Sequence, residues 1–246
     1  MLAPGLGKTK TGRLWVVVRD ERPWGSVVPP AAFYHYSANR MGIHAEALLG
    51  TCRGFLHADG YAGFERLYRP TTPNGEPTLV EVACWSHARR KLYEVHHATA
   101  SPIALEALER IAALFAIESS IRGRPPDQRV AARNQYAQPL LEQLKAFLDT
   151  SLNRVSGKSA LAQAIRYARS RWQALTRYVT DGRLEMSNNA AERAMKPPVP
   201  RTEKLSVLWL RRRGKARRLY LHHPRNRQDV RHQSAGLSGR CPQPHC

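Results

Sequence analysis

Gly54-Phe55-Leu56-His57-Ala58-Asp59-Gly60 is a short, largely apolar run that ends on a turn dipeptide. It is long enough for a strand and too short for a helix, and Asp-Gly stops it. Downstream, Leu79-Val80-Glu81-Val82-Ala83-Cys84 is a second such run, and a helix over about 61–68, closed by Pro70, lies between the two. Upstream, residues 13–20 are β-branched and apolar almost throughout, and 32–37 read as a further strand. Pro23, Pro29 and Pro30 make their connection a loop, and a short helix over 43–50 stops at Gly50. Strands alternating with short helices predict an α/β sheet domain.

From Ser86 to Val179 the pattern turns helical. Ser101-Pro102 is a start signal, with Ser as N-cap and Pro in the first turn. Ala104, Leu108, Ile111 and Phe115 then share a face, and Gly123 with Pro125 ends the helix. Leu140, Leu144 and Phe147 mark a second helix, after Pro139. Leu161, Ile165, Ala168, Trp172, Leu175 and Val179 form one apolar stripe, which predicts a single long amphipathic helix. Beyond Met195 no apolar period is sustained.

The chain of 246 residues carries a formal charge of +20. Residues 197–246 hold 12 Lys and Arg against 2 acidic residues, and the first 196 hold 27 against 17. Half the excess thus lies in the last fifth of the chain, and a polyanion, nucleic acid first, is the expected partner. No apolar run approaches the roughly 18 residues needed to cross a membrane. The start of the chain has no signal-peptide pattern either, so a cytoplasmic protein is expected, nucleoid-associated when bound to DNA. Cys52, Cys84, Cys241 and Cys246 fit no disulfide framework, so free thiols are expected. Cys84 and His87 have Cys-x-x-His spacing, but two ligands do not make a structural zinc site, and Cys52, His96 and His97 stand at no recognised spacing.

Four ordered segments resemble the transposases of the insertion sequence 66 family. They are residues 12–16 with Arg19-Asp20; Asp59-Gly60-Tyr61; residues 83–91, Ala-Cys-Trp-Ser-His-Ala-Arg-Arg-Lys; and Asp181-Gly182-Arg183 with residues 188–194, Asn-Asn-Ala-Ala-Glu-Arg-Ala. The resemblance covers about residues 3–196. It implies a ribonuclease-H-like fold with a helical insertion before the last carboxylate. It also implies three carboxylates holding two divalent ions, Mg2+ or Mn2+, that cut DNA at element ends and join it to a target. Its partners would be transposon-end and target DNA, with a homo-oligomer expected. The domains expected are a partial ribonuclease-H-like α/β domain over 1–85, a helical insertion over 86–180, a return segment with the last carboxylate over 181–196, and a basic tail over 197–246.

Phosphodiester cleavage needs an activated nucleophile and charge stabilisation at both oxygens, which paired metals on carboxylates supply. Asp59 ends a strand, where its side chain projects from the sheet; the plainer reading is an Asp-Gly turn. The resemblance places the family's second carboxylate on Asp59 and its last on Glu192. Glu192 also fits a capping box with Asn189 as N-cap, and one helix start can serve both purposes. The resemblance puts Cys84 and His87 near the active centre as accessory residues, His87 positioning DNA or assisting proton transfer. Arg89, Arg90, Lys91 and Arg193 suit phosphate contact, against the plainer reading of a solvated charged face. Asp20 is set aside. In the family the first carboxylate lies upstream of the Leu14-Trp15-Val16 strand, in a segment that leads into Leu2-Ala3-Pro4-Gly5. Met1 stands just after it, so the first strand and its carboxylate are expected to be missing and this chain to be inactive.

Over 197–246 the family's continuation is absent in this frame. Read from the second base of each codon, permitted codons for residues 199–222 spell a family-like segment beginning Ser-Leu-Gly-Arg-Lys-Asn. The tail is therefore expected to be out of frame and disordered, the alternative being a selected DNA-binding tail. A non-catalytic DNA-binding remnant that interferes with intact transposase is the second functional reading. A basic RNA-binding protein is disfavoured by the lack of clustered stacking aromatics.

Overall fold

The computed structural model describes residues 12–70, 75 and 77–195. The expectations for Leu2–Gly5, for Cys241 and Cys246 and for the tail over 197–246 fall outside the described residues.

The sheet content is α/β in kind and small. Strand β1 (Arg13–Arg19) pairs antiparallel with β2 (Ala31–Ser37), with Arg13 opposite Ser37 and Arg19 opposite Ala31. Strand β3 (Gly54–Ala58) pairs parallel with β4 (Leu79–Ala83), with Gly54 opposite Leu79 and Ala58 opposite Ala83. Among the described residues these are two separate two-stranded sheets. Helix α1 (Gly42–Leu49) lies between β2 and β3, and a 3-10 segment over Ala62–Tyr68 lies between β3 and β4. The apolar side chains here gather in a small core of Ala45, Leu49, Cys52, Leu67 and Leu79, and Trp15, Val17, Leu56 and Phe64 pack onto it. Alternate β1 residues (Trp15, Val17) face one core, as the two-residue period of a strand requires.

Helices α2 (Trp85–Thr99), α3 (Pro102–Ser120), α4 (Pro126–Ala132) and α5 (Gln138–Arg154) follow, with a π-helical turn over Arg133–Ala137 before α5. Ser101 caps α3 by accepting the Ala104 N–H at 3.3 Å. The expected single helix over 161–179 is instead α6 (Ala160–Ser170), α7 (Trp172–Thr176) and a 3-10 turn over Arg177–Thr180. The break falls at Arg171, whose backbone leaves helical geometry (φ −109°, ψ 15°). Its guanidinium reaches across to Glu81 and to the Gly60 carbonyl. The apolar stripe survives the break because Leu161, Ile165, Ala168, Leu175 and Val179 all stay buried.

One core runs through the helices and continues into Ala83 of β4 and into Met186. Trp85, fully buried, donates its Nε1–H to the Leu175 carbonyl at 2.8 Å and packs edge-on against Trp172. Truncating such a Trp to Ala typically costs about 3–5 kcal/mol. The last helix, α8 (Asn189–Met195), packs on β1. It starts at Asn189, so Asn188 precedes it, and the Ala191 and Glu192 N–H groups bond to the Asn188 carbonyl. That corrects the expected cap: the Asn189 amide oxygen accepts the Ser86 hydroxyl at 3.2 Å instead of capping the helix. A second correction concerns thiols. Cys84 is free, but Cys52 is disulfide-bonded.

Candidate active site

Parallel pairing of β3 with β4 decides where the chemistry sits. Ala58 and Ala83 are register partners, so the residues after them, Asp59 and Cys84, leave the sheet side by side at its C-terminal edge. Asp59 turns into Gly60, whose φ of +76° suits glycine, and its Oδ1 accepts the Tyr61 N–H at 3.2 Å. Arg171 donates to the Gly60 carbonyl at 3.3 Å and pairs with Glu81 of β4, which ties the Asp59 turn to the helical block.

Cys84 stands at the N-cap of α2, and His87 lies three residues on, on the same face. The return segment brings α8 to both. The Asn188 N–H points at the Cys84 sulfur at 3.4 Å, and the Trp85 N–H donates to the Met186 carbonyl at 3.1 Å. These two contacts carry Glu192 to His87, with Nδ1 and Oε1 3.6 Å apart. His87 and Glu192 are partly open, their side chains 27% and 39% exposed. His87 Nδ1 itself is buried and has no hydrogen-bond partner among the described residues.

The electrostatics agree with this placement. His87 is held protonated above its ordinary range by the Cys84 thiol beside it; partial burial opposes this, and the carboxylates of Glu192 and Asp59 add to it. Cys84, Glu192 and Asp59 therefore all lie near enough to His87 to act on it electrostatically. His57, one strand position before Ala58, is pushed down to about 4 by burial and stays neutral. In a chain of charge +20, neither Asp59 nor Glu192 forms an ion pair with Lys or Arg among the described residues.

The other residues singled out by sequence lie around this cluster. Arg89, Arg90 and Lys91 are exposed along α2, and the Lys91 ammonium sits 4.7 Å from the Tyr167 ring centroid. Arg193 is exposed on α8, and the Asp20 pKa is lowered chiefly by the Arg22 hydrogen bond, with Arg193 adding a smaller pull. Asp20 is gripped by its neighbour Arg22 through two bonds, 2.8 and 2.7 Å. Sequence reasoning missed Arg171, which no spacing signal marks, and gave Trp85 and Asn188, though they stand in the family-like segments, no part in holding the cluster together. A surface depression lined in part by Phe55, Leu141, Trp172 and Val179 shares no residue with the cluster.

Residues 1–235 match a family model described as Transposase IS66 family. The match runs past the 3–196 stretch whose motifs carried the resemblance. Relatives include Uncharacterized protein y4jD of Sinorhizobium fredii, 38% identical over 195 residues, which are 79% of this chain and 38% of the relative. Uncharacterized protein y4qI of the same organism is 36% identical over 197 residues, 80% of this chain and 36% of the relative. The chain thus spans little more than a third of the length of these relatives. No solved structure matches it, and no helix among the described residues is long and apolar enough to cross a membrane.

Proposed function

The chain belongs to the transposase IS66 family, and on that premise we propose that Asp59 and Glu192 are two of the carboxylates that serve DNA cleavage and strand transfer in a ribonuclease-H-like domain. The observation that carries this is convergence. A carboxylate at the end of β3 and another on α8 both act electrostatically on His87, across 133 residues of chain, and no Arg or Lys forms an ion pair with either among the described residues. In so basic a protein, two carboxylates that no Arg or Lys pairs with, and that have only His87 beside them, fit a divalent cation as further countercharge. Oxygen donors suit Mg2+ or Mn2+.

Metal held there would supply positive charge at the scissile phosphate and lower the pKa of an attacking water. The chain's own residues do the rest. The turn at Gly60 and the Arg171 clamp fix the direction of Asp59. His87 holds a proton at the site's edge, within reach of Glu192. Arg89, Arg90, Lys91 and Arg193 offer exposed cations for DNA phosphates, which position the strand without reading its sequence. An open cluster, rather than an enclosed pocket, suits a long polyanion.

The ribonuclease-H-like reading draws support from the sheets. The β1–β2 hairpin and the β3–β4 parallel pair are two halves that one strand between β1 and β3 would join, and that strand would carry the third carboxylate. The test measures nicking and joining of element-end duplexes with Mg2+ or Mn2+. It uses this chain alone and this chain preceded by the upstream segment of y4jD, each with Asp59→Asn and Glu192→Gln variants. Metal-dependent cleavage lost at least about a hundredfold in both variants is the expected result. Cleavage indifferent to both substitutions would overturn the assignment, as would DNA binding without cleavage in every form, which would favour a non-catalytic DNA-binding protein.

A further inference from the structure

The Cys84–His87 pair lacked a third ligand in the sequence, and the fold supplies one. The Cys84 sulfur, a ring nitrogen of His87 and a carboxylate oxygen of Glu192 all lie within 4.8 Å of one another. We propose that these three side chains form a site for one thiophilic divalent cation of the Zn2+ class, distinct in chemistry from the all-oxygen Mg2+ or Mn2+ chemistry of Asp59 and Glu192. The inference shares Glu192 with the functional reading above but rests on this geometry alone.

Three features support it. The donor set of sulfur, imidazole nitrogen and one carboxylate is that of borderline-soft metals, whereas Mg2+ prefers oxygen. The ligand edges need little adjustment: bonds of about 2.0–2.3 Å in a tetrahedron set neighbouring donors about 3.3–3.7 Å apart. The His87–Glu192 edge is already 3.6 Å. The donors also await a partner. His87 Nδ1 is buried with no hydrogen bond, and the Asn188 N–H points at the Cys84 sulfur, the contact that stabilises a thiolate. Three protein ligands with partly exposed His87 and Glu192 leave a fourth position open to solvent, the arrangement of reactive rather than structural zinc. Because Glu192 belongs to both sets, a thiophilic ion bound here withdraws that carboxylate from the Asp59–Glu192 pair.

Cobalt(II) titration of the reduced full chain, without DNA, tests this by the thiolate-to-metal charge-transfer band and the visible bands of four-coordinate cobalt. One equivalent is expected to bind, to be displaced by Zn2+, and to be unaffected by millimolar Mg2+. Cys84→Ser should abolish the charge-transfer band, and His87→Gln and Glu192→Gln should each weaken binding at least tenfold, with unchanged helical circular dichroism. The Cys52→Ser/Cys241→Ser/Cys246→Ser variant should keep the band, which assigns it away from the other thiols. Asp59→Asn should also keep it, although the functional reading requires that variant to lose DNA cleavage, so the two ideas fail separately. A wild-type chain that shows no thiolate band, or a band that survives Cys84→Ser, would overturn the site.

Discussion

Arg133→Met is expected to destabilise the protein by about 3–5 kcal/mol, the usual cost of breaking a buried ion pair from one side. Arg133 is 0% exposed and spends all its N–H donors. Nε and Nη2 hold the two Glu118 oxygens at 2.7 Å each, Nη1 reaches the carbonyls of Tyr178 at 2.7 Å and Asp181 at 3.0 Å, and Nη2 also reaches Leu184 at 2.8 Å. Methionine fills much of the volume but takes this donor from the Tyr178 and Leu184 carbonyls, each costing about 1–3 kcal/mol if it stays dry, while the Asp181 carbonyl keeps the Leu184 N–H at 3.0 Å. Glu118 keeps only Arg129, at 3.2 Å. Relaxation and entering water reduce the sum to the stated range, which is still a large share of a typical stability of about 5–15 kcal/mol. Arg133→Lys keeps the charge but not the planar fork, and about 2 kcal/mol is expected. Urea unfolding followed through Trp85 and Trp172 fluorescence measures both. A methionine variant within about 1 kcal/mol of the parent would refute the reasoning, because the carbonyls would then be shown to find other partners at little cost.

Three further outcomes follow from named contacts. Gly182→Ala places a Cβ 1.9 Å from the Pro126 carbonyl oxygen, a backbone atom that cannot swing aside; a loss toward the upper end of about 1–3 kcal/mol is expected by urea unfolding, and a neutral variant would count against the packing. Arg171→Met removes the Gly60 and Glu81 contacts, so DNA cleavage by the form preceded by the upstream segment of y4jD should fall more than tenfold while DNA affinity in a filter-binding assay stays within twofold; unchanged cleavage would free the Asp59 turn from this clamp. Asp181 has its pKa lowered by hydrogen bonds from Arg183, so its stabilisation is present above the unfolded value of 3.8 and lost as pH falls through the lower folded value. Arg183 is 65% exposed, so the effect stays under about 1 kcal/mol, and Asp181→Asn should flatten the fall of unfolding free energy below pH 4.

The strands and most helices were legible because their signals are local. Apolar runs closed by Asp59-Gly60, Gly50 and Pro70 are punctuated within a few residues, and Ser101 performs the cap its type suggests. The break at Arg171 was not legible. Hydrophobic period reports which residues face a core, and Trp172 and Leu175 still face it after the axis has turned. What turns the axis is a long-range attraction of Arg171 for Glu81 and Gly60, which no window of sequence contains. The Asn189 cap failed for the same kind of reason: a hydroxyl on α2, 103 residues away, takes its amide oxygen.

The candidate site shows how unequally its parts are held. Asp59 and Cys84 are set by strand register, since a parallel pair fixes both at one edge, and the side chain of Arg171 secures the turn. Glu192 has no such frame. It rides on a seven-residue helix with no buried residue, held by the Asn188 contact to Cys84, the Ser86 hydroxyl on Asn189, and the Tyr34 hydroxyl donating to the Ala194 carbonyl at 2.8 Å. Isolated helices this short are marginal in water, so tertiary contacts rather than propensity keep it formed. Two of those three contacts start from the first residues of the Cys84–His87 turn. That motif therefore has a structural duty before any chemical one: it places Glu192. The same dependence makes Glu192 the least firmly framed member of the cluster.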